Sequence, residues 1–301
     1  MPEWVVVVLA LAAAVTSALG IVIRQRATLE IPHDEGVSTT MYKKLLRNRL
    51  WWEGTAVAMS GYGFQALALT WGSLILVQPL LVSALLFALP MSARLAHRRV
   101  TAHDWVWALV LTVGLAIFVT FARVQPGNYR PPPAVLALGT VVCTAVIVVC
   151  MVVGARSQGR KRALLIAIAV GVLFGVVAVL TKISVQRLNE DGVGGMLAIP
   201  APYLVIILGV AATLLQQSAF HAGALQTSVP TMLVLEPLVA VSLGVVVLGE
   251  TLAVTSVATA ALLPIAVVAM AAATIALGRD EGAFEDLLEA ELARGNESRP
   301  S

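Results

Sequence analysis

The sequence predicts an all-α, polytopic membrane helical bundle, with about nine transmembrane helices arranged in two inverted repeats. Three observations favour this fold class. Only 12% of the residues are charged and 59% are hydrophobic, whereas about a quarter of the residues of a soluble chain are charged. The apolar residues occur in blocks of about twenty, the length at which a helix crosses the hydrocarbon of a bilayer. Two stretches that contain such blocks also match each other in sequence.

Nine apolar segments follow one another along the chain. The links between the second and third segments and between the last three are only a few residues long, which predicts antiparallel neighbours in a hairpin-rich bundle. We expect residues 1–278 to form the membrane domain and residues 279–301 to form an acidic cytoplasmic tail with a short amphipathic helix. The segments are Trp4 to Ile23, Trp51 to Thr70, Leu74 to Leu95, Trp105 to Ala122, Ala134 to Gly154, Ala163 to Thr181, Pro202 to Phe220, Val229 to Gly249 and Leu252 to Leu277.

Lysine and arginine are unevenly divided between the two sides of this predicted bundle. Sixteen of the twenty basic residues, including those of the tail, fall on one side. Cytoplasmic loops carry such an excess, so the amino terminus is expected outside and the carboxyl terminus in the cytoplasm of a plasma or inner membrane. The basic residues lie in short loops beside membrane lipid, which argues against a nucleic-acid partner. The four basic residues on the other side are Arg123, Arg130, Lys182 and Arg187.

The internal repeat relates two stretches that are 158 positions apart. This offset aligns "QALALTWGSLILVQPLLVSALL" from Gln65 with "GALQTSVPTMLVLEPLVAVSLG" from Gly223. Five helices separate equivalent positions, and this odd number inverts one copy relative to the other. The prediction is a first repeat over about 1–122, a linker helix over about 134–154 and a second repeat over about 163–278. Inverted repeats are typical of secondary transporters, whose substrate site lies near the midplane between the repeats.

These motifs also resemble a known group. The run "ALQTSVPTMLVLEPLVAVSLGVVVLGETL" resembles the second half of members of the drug/metabolite transporter superfamily, and "NRLWWEGTAVAMSGYGFQALALTWGSLILVQPL" is similar to its NIPA-like branch, named for proposed magnesium transporters. The resemblance implies about ten spans, and the basic region 36–50 stands where a tenth would be. The first half of this sequence departs from the family pattern, because "SARLAHRRVT" stands where the Gly-Glu ending is usual.

Glu236 is the leading candidate for a functional residue. It lies seven or so residues into its segment, where a charged side chain costs about 2.5 kcal/mol or more and should face a cavity or a partner. It is expected to bind a proton or cation during transport, or else to be held by a neighbouring donor. Its repeat partner is Gln78. The adjacent Pro237 and Pro79 each remove a backbone donor and leave a carbonyl available one turn earlier, so both are predicted helix breaks.

Other polar residues of the membrane segments are candidates for contact with the substrate or for hydrogen bonding between helices. Gln217 and His221 are one turn apart on one helix face, and Gln216 is adjacent. In the first repeat, Tyr62 and Gln65 are placed similarly.

Lys182 ends the sixth segment, where a side chain that snorkels to the interface is the expected arrangement. The alternative is that it points inward, to pair with Glu236 or to hold an anionic substrate. Glu250 is expected to act structurally near a helix amino terminus. Gly171 and Gly175 form a Gly-x-x-x-Gly pair that predicts close helix packing.

The remaining motifs limit the chemistry. The sequence lacks a phosphate-binding loop, a zinc-protease motif and a nucleophile elbow, so neither an enzyme, an ATP-driven pump nor a resident cofactor is expected. Cys143 and Cys150 are seven residues apart on one helix, too far for a disulfide, and are read as small buried hydrophobes.

The function that these features predict is secondary-active transport of a small metabolite or ion by alternating access. Three alternatives stay open. They are a magnesium or other divalent-cation carrier, for which the metal ligands are unknown, a flippase for lipid-linked intermediates with a basic headgroup site, and a membrane scaffold that transports nothing. The expected substrate is a small molecule, an ion or a lipid, and a homodimer is compatible with the sequence.

Overall fold

The computed structural model describes residues 3–29, 47–95, 100–125, 127, 132–221, 225–253 and 256–297. These residues form ten helices and two short strands. In chain order the helices are α1 (Glu3–Leu29), α2 (Arg49–Trp71), α3 (Leu74–Val82), α4 (Ala84–Leu95), α5 (Ala102–Phe121), α6 (Pro133–Ala155), α7 (Gly159–Leu197), α8 (Ala201–His221), α9 (Leu225–Val246) and α10 (Val257–Glu297), and the strands are β1 (Arg123–Gln125) and β2 (Thr251–Ala253). Region 36–50 lies outside the described residues except for its last four.

Seven helical segments of the described chain are long and apolar enough to cross a membrane. They lie in α1, in α3 together with α4, and in α5, α6, α7, α9 and α10. The prediction of a polytopic membrane helical bundle is therefore confirmed. The apolar part of α8 is shorter, and α2 carries polar residues such as Ser60 and Gln65 along its length.

The outer surface of the bundle is apolar, as it would be in contact with lipid. Helix α6 shows this most clearly, because Leu138, Val141 and Val149 on it are all more than half exposed. Soluble proteins rarely expose contiguous apolar surface on this scale. Exposed tryptophans lie toward both helix ends, with Trp4 and Trp71 at one end of the α1–α2 pair and Trp52 at the other, as in the aromatic belts of membrane proteins.

Small residues set the distance between the first two helices. A Cβ atom added to Gly20 would lie 2.6 Å from the backbone nitrogen of Ala58, and one added to Gly61 would lie 2.4 Å from Ser17 Oγ. From Ser17 to Gly20 the chain advances three residues along α1, whereas the facing positions go back three residues along α2, from Gly61 to Ala58. Helices α1 and α2 are therefore antiparallel and in close contact.

One end of the bundle brings together the amino terminus of α1 and several helix junctions. The Glu3 carboxylate lies 3.9 Å from the Arg123 guanidinium, which follows α5. Strand β1 pairs antiparallel with β2, with Val124 opposite Leu252. Residue Glu250, which follows α9, contacts the start of α3. We call this end the amino-terminal end.

Several predicted segment boundaries change in the structure. The third segment is two helices separated at Ser83, four residues after Pro79. The sixth segment extends to Leu197 through a kink at Gly192, whose φ of 70° is one that L side chains rarely adopt. The start of the last segment at Leu252 was wrong, because residues 251–253 are strand β2 and α10 begins at Val257. The tail is helical as far as Glu297, continuous with α10.

The offset of 158 positions does not fit the helix ends. Helix α2 ends at Trp71 and α3 begins at Leu74, whereas α8 ends at His221 and α9 begins at Leu225. The offset would place the counterpart of this first junction at residues 229–231, which lie inside α9. The α2–α3 and α8–α9 junctions are about 151 positions apart, so the offset of 158 does not superimpose them.

Candidate functional site

Glu236 lies deep in the apolar helix α9. The helix begins at Leu225, eleven residues earlier, so Glu236 is about 16 Å along the helix axis, deeper than the seven or so residues expected from the sequence. Its side chain is half-buried. No hydrogen bond or ion pair to Glu236 occurs in the described part of the chain. The helix continues through Pro237 without interruption, so the predicted break at this proline was wrong.

The glycines of α7 bring that helix against α9 beside Glu236. A Cβ atom at Gly171 would lie 2.6 Å from Leu235 Cβ and 3.5 Å from the backbone nitrogen of Glu236. A Cβ atom at Gly175 would lie 2.7 Å from Val239 Cβ. Both helices advance by four residues between the two contacts, so they run parallel. The predicted packing role of this glycine pair is confirmed.

Gln78 is a fully buried polar residue of α3, with 1% of its surface exposed. Its side-chain Nε2 has no hydrogen-bond acceptor among the described residues. An amide donor left without an acceptor in a protein interior costs about 1–3 kcal/mol. Gln78 is one turn past the start of α3, and Pro79 follows it within the same helix. The helix ends three residues after Pro79, so this proline precedes a real interruption.

Lys182 does not snorkel to the interface, as the sequence pattern favoured, but points into the protein. It is 1% exposed, and its Nζ donates hydrogen bonds to the carbonyl oxygens of Leu69 at 2.6 Å and Gly72 at 2.7 Å. These carbonyls belong to the last turn of α2 and the residue after it. Because a helix carboxyl terminus carries partial negative charge, it suits a cation.

Lys182 also does not pair with Glu236. On the parallel helices α7 and α9, Gly175 faces Val239, so Lys182 lies at the level of residue 246. Ten residues of α9 separate that level from Glu236, a rise of about 15 Å. The Lys182 ammonium and the Glu250 carboxylate instead bind backbone groups on opposite sides of the α2–α3 turn.

Glu250 is a second buried charge, with none of its surface exposed. Its Oε1 accepts a hydrogen bond from the Leu74 N–H at 3.0 Å, and its Oε2 accepts one from the Ile75 N–H at 3.1 Å. The sequence suggested a role at the helix that follows Glu250 in the chain. The structure shows that it caps α3 instead, a helix 175 residues earlier.

The Gly-Glu motif has a geometric explanation. Gly249 has a φ of 69°, which an L side chain rarely adopts, and it reverses the chain at the end of α9. The Glu250 N–H then donates to the Gly244 carbonyl oxygen at 3.0 Å, which fixes the direction of its carboxylate. Burial raises the pKa of Glu250 above its ordinary value, whereas the hydrogen bonds from Leu74 and Ile75 and the charge of Lys182 oppose that rise.

The other predicted substrate contacts are not assembled around Glu236 by any described contact. Tyr62 is 51% exposed on the surface of α2, and Gln65 and Gln216 are half-buried. The side chains of Gln217 and His221 lie outside the described residues. Within the described ranges, no three or more histidine, cysteine, aspartate or glutamate side chains lie close enough together to hold a metal ion. Cys143 and Cys150 are both free, as expected.

Comparison with known proteins places the chain in a family. No protein-family model matches the sequence, and no solved structure matches it. Cgl0250/cg0304, an uncharacterized protein of Corynebacterium glutamicum, is 37% identical over 277 residues, which are 91% of this chain and 94% of the relative. The chain belongs to the family of this corynebacterial protein. The match covers about nine-tenths of each sequence, so it is not confined to one helix pair.

Sequence reasoning missed the way Lys182 and Glu250 act together. They are 68 positions apart in the chain. Lys182 binds backbone groups before the α2–α3 turn and at its first residue, and Glu250 binds backbone groups after it. A signal was available in the sequence, since each is a charged residue at the end of a long apolar segment. The partners could not be found from it, because they are backbone groups, which every residue carries.

Proposed function

We propose that this protein is a secondary-active membrane transporter that works by alternating access between two inverted halves. Nine spans make up the bundle, with α2 and α8 crossing the membrane in addition to the seven strongly apolar segments. The substrate is a small metabolite or ion, and Glu236 is the group that takes up and releases a proton or cation. The amino terminus is outside and the carboxyl terminus is in the cytoplasm.

The order and direction of the helices support two inverted halves. Helices α1 and α2 form an antiparallel pair, and α7 and α8 form another after a linker, α6. Helices α7 and α9 run toward the amino-terminal end, so α8 between them runs away from it, whereas its counterpart α2 runs toward it. Inverted repeats of this kind are found in secondary transporters, where they build a substrate site near the midplane.

An offset of 151 positions aligns the two halves at their helix junctions and also aligns side chains. It pairs Gln65 with Gln216, Gly72 with Gly223, and Pro79 with Pro230. It also pairs Ala68 with Ala219, both of which have no exposed surface. In this register Glu236 is opposite Leu85, so the acid belongs to one half only. One ionisable group at the centre is what a single coupling site needs.

The observation that carries the proposal is the carboxyl group of Glu236 within α9, without a partner in the described part of the chain. An acid inside an apolar helix is expensive unless it lines a path for ions or substrate. A second polar group, the Gln78 amide, is buried near it in depth. Leu74 contacts the Gly244 position. Gln78 is four residues past Leu74, about 6 Å deeper, and Glu236 is eight residues before Gly244, about 12 Å deeper. The two polar groups therefore differ by about 6 Å in depth.

The proposed membership of the drug/metabolite transporter superfamily, in its NIPA-like branch, rests on the Gly249-Glu250 ending and the Trp-Trp-x-Gly start of α2. A lipid flippase would need a basic headgroup site, for which Arg24, Lys182 and the loop around Arg47 are the candidates; of these, Lys182 has no support because its ammonium is bound to two carbonyls. Small metabolites and ions are therefore the favoured substrates.

The test is proton flux in proteoliposomes that enclose a pH-sensitive dye. Purified protein is first screened for thermal stabilisation by magnesium salts, amino acids and polyprenyl phosphates, and the stabilising compounds are added to the vesicles. The wild-type protein should move protons in response to one class. Glu236→Gln should reduce that flux to the background of empty vesicles while the protein stays folded.

The matched control is Glu53→Gln, which removes an exposed acid that pairs with Arg49 on the outside of α2. This variant should behave as the wild type does. Equal flux in the Glu236→Gln variant would refute the assigned role of Glu236. A wild-type protein that moves none of the compounds, and whose polar positions tolerate alanine, would favour the scaffold alternative.

A further inference from the structure

The turn between α2 and α3 is held at both of its ends by charges from the second half of the chain. On one side, Lys182 of α7 binds the carbonyl oxygens of Leu69 and Gly72. On the other side, Glu250 binds the N–H groups of Leu74 and Ile75. The turn itself has only two residues, Gly72 and Ser73, between the two helices.

Each charge faces the helix end of opposite sign. The last carbonyls of a helix carry partial negative charge, and its first N–H groups carry partial positive charge. Lys182 is therefore at the negative end of α2, and Glu250 is at the positive end of α3. The Ser73 hydroxyl completes the cap by accepting a hydrogen bond from the Leu76 N–H at 3.2 Å. The first three N–H groups of α3 thus all have acceptors, two of them on one distant carboxylate.

The turn is also packed too tightly to move within its own half. A Cβ atom on Gly72 would lie 2.4 Å from Val6 Cγ1 of α1 and 2.9 Å from the Ala68 carbonyl oxygen. The turn therefore moves together with α1 and α2. The turn meets the second half through the long polar side chains of Lys182 and Glu250 and also through apolar packing, since Leu74 lies against the Gly244 position of α9.

We propose that Lys182 and Glu250 form a latch that closes the amino-terminal end of the bundle, and that this end opens when the latch releases the α2–α3 turn. This inference rests on the proposed function, because alternating access requires each end to close in turn. In the present structure the latch is engaged. The β1–β2 pairing lies at the same end and joins the two halves there as well.

The latch makes a prediction about Gln78, which lies four residues beyond Leu74 and about 6 Å deeper from the amino-terminal end. With the latch engaged, water from that end should not reach position 78. The reporter is Gln78→Cys in a background in which Cys143 and Cys150 are both alanine. Its reaction with a membrane-impermeant maleimide is measured on the membrane face that carries the amino terminus.

With Lys182 and Glu250 intact, labelling from this face should be slow. Lys182→Met and Glu250→Gln, made one at a time, should each speed it by about tenfold, equivalent to about 1.4 kcal/mol in the opening equilibrium. Methionine keeps the apolar stem of the lysine and removes its charge. The matched control is Arg187→Met with Asp191→Asn, which removes an ion pair from α7 near Lys182 and should leave the rate unchanged.

A second reporter separates opening from unfolding. Ala212→Cys on α8 is at a position with no exposed surface, and it should stay unreactive in every variant. Faster labelling at position 78 alone supports the latch. Faster labelling at both positions, or at neither, contradicts it. Labelling needs no substrate. It therefore measures the opening of the amino-terminal end even if the flux experiment shows that the protein does not transport.

The exchange of the two charges tests the role of the helix ends. Lys182→Glu with Glu250→Lys keeps two opposite charges beside the turn, but each charge then faces a helix end of the same sign. We expect position 78 to remain reactive in this double variant. Slow labelling, as in the parent protein, would show that two opposite charges beside the turn close the end in either arrangement and would overturn the helix-end mechanism.

Discussion

Gly171→Ala should push α7 and α9 apart at the level of Glu236. The added Cβ would lie 2.6 Å from Leu235 Cβ, whereas ordinary contacts of this kind are 3.4–4 Å. Leu235 Cβ is attached directly to the backbone, so a change of side-chain rotamer cannot move it away. Relief of the clash therefore requires the two helix backbones to separate by about 1 Å.

The size of the effect follows from two opposing terms. An extra methyl group in a packed interior typically costs about 1–3 kcal/mol. Alanine in place of glycine returns up to about 1 kcal/mol of helix propensity. The matched control, Gly209→Ala on α8, measures that second term alone, because a Cβ atom there would meet nothing within 4 Å. Gly171→Ala should therefore be about 1–3 kcal/mol less stable than Gly209→Ala.

The assay is reversible unfolding of the purified variants in mixed micelles, followed by tryptophan fluorescence. Gly175→Ala should behave as Gly171→Ala does, since its Cβ would lie 2.7 Å from Val239 Cβ. Combining the two should cost less than the sum of the single changes, because one separation of the helices relieves both clashes. If Gly171→Ala and Gly209→Ala are equally stable, α7 and α9 are not in this close contact, and the placement of Glu236 beside α7 fails with it.

Two further predictions concern single side chains. Gln78→Leu should raise the free energy of unfolding by about 1–3 kcal/mol, because it removes a buried amide donor that lacks an acceptor. It should also reduce substrate-driven flux. A loss of stability in the same unfolding assay would show that the amide is hydrogen-bonded after all. Thr101→Ala should lower the free energy of unfolding by about 1 kcal/mol. The Thr101 hydroxyl accepts a hydrogen bond from the Asp104 N–H, and the Asp104 carboxylate accepts one from the Thr101 N–H, in a capping box at the start of α5. Thr101→Ser keeps the hydroxyl and should match the wild type.

The sequence was most informative where a property depends on nearby residues. Segment length and the scarcity of charge predicted the membrane helices, because a span must satisfy its backbone hydrogen bonds within itself. The spacing of Gly171 and Gly175 predicted a close helix contact, because residues four apart lie on one face of a helix. Neither inference needed to know which helix was on the other side.

Prediction failed where the decisive partner was far away in the chain. Lys182 was expected at the lipid interface because a lysine at a helix end usually reaches for water. Its actual partners, the carbonyls of Leu69 and Gly72, are 113 and 110 residues earlier. Glu250 was correctly given a structural role but assigned to the wrong helix. The offset of 158 positions likewise does not align the helix ends, because matching dipeptides cannot show where a helix ends.

The sequence alone determined that this chain is a bundle of membrane helices, that one acid lies within an apolar segment, and that small residues bring particular helices close together. These properties follow from hydrophobicity and from the geometry of a single helix. The tertiary structure decided which helices meet, that Glu236 and Lys182 lie at different depths, and that Lys182 and Glu250 bind backbone groups of the same turn. The reason is that backbone carbonyl and N–H groups are the partners of both charges, and only the fold decides which of those groups a side chain can reach.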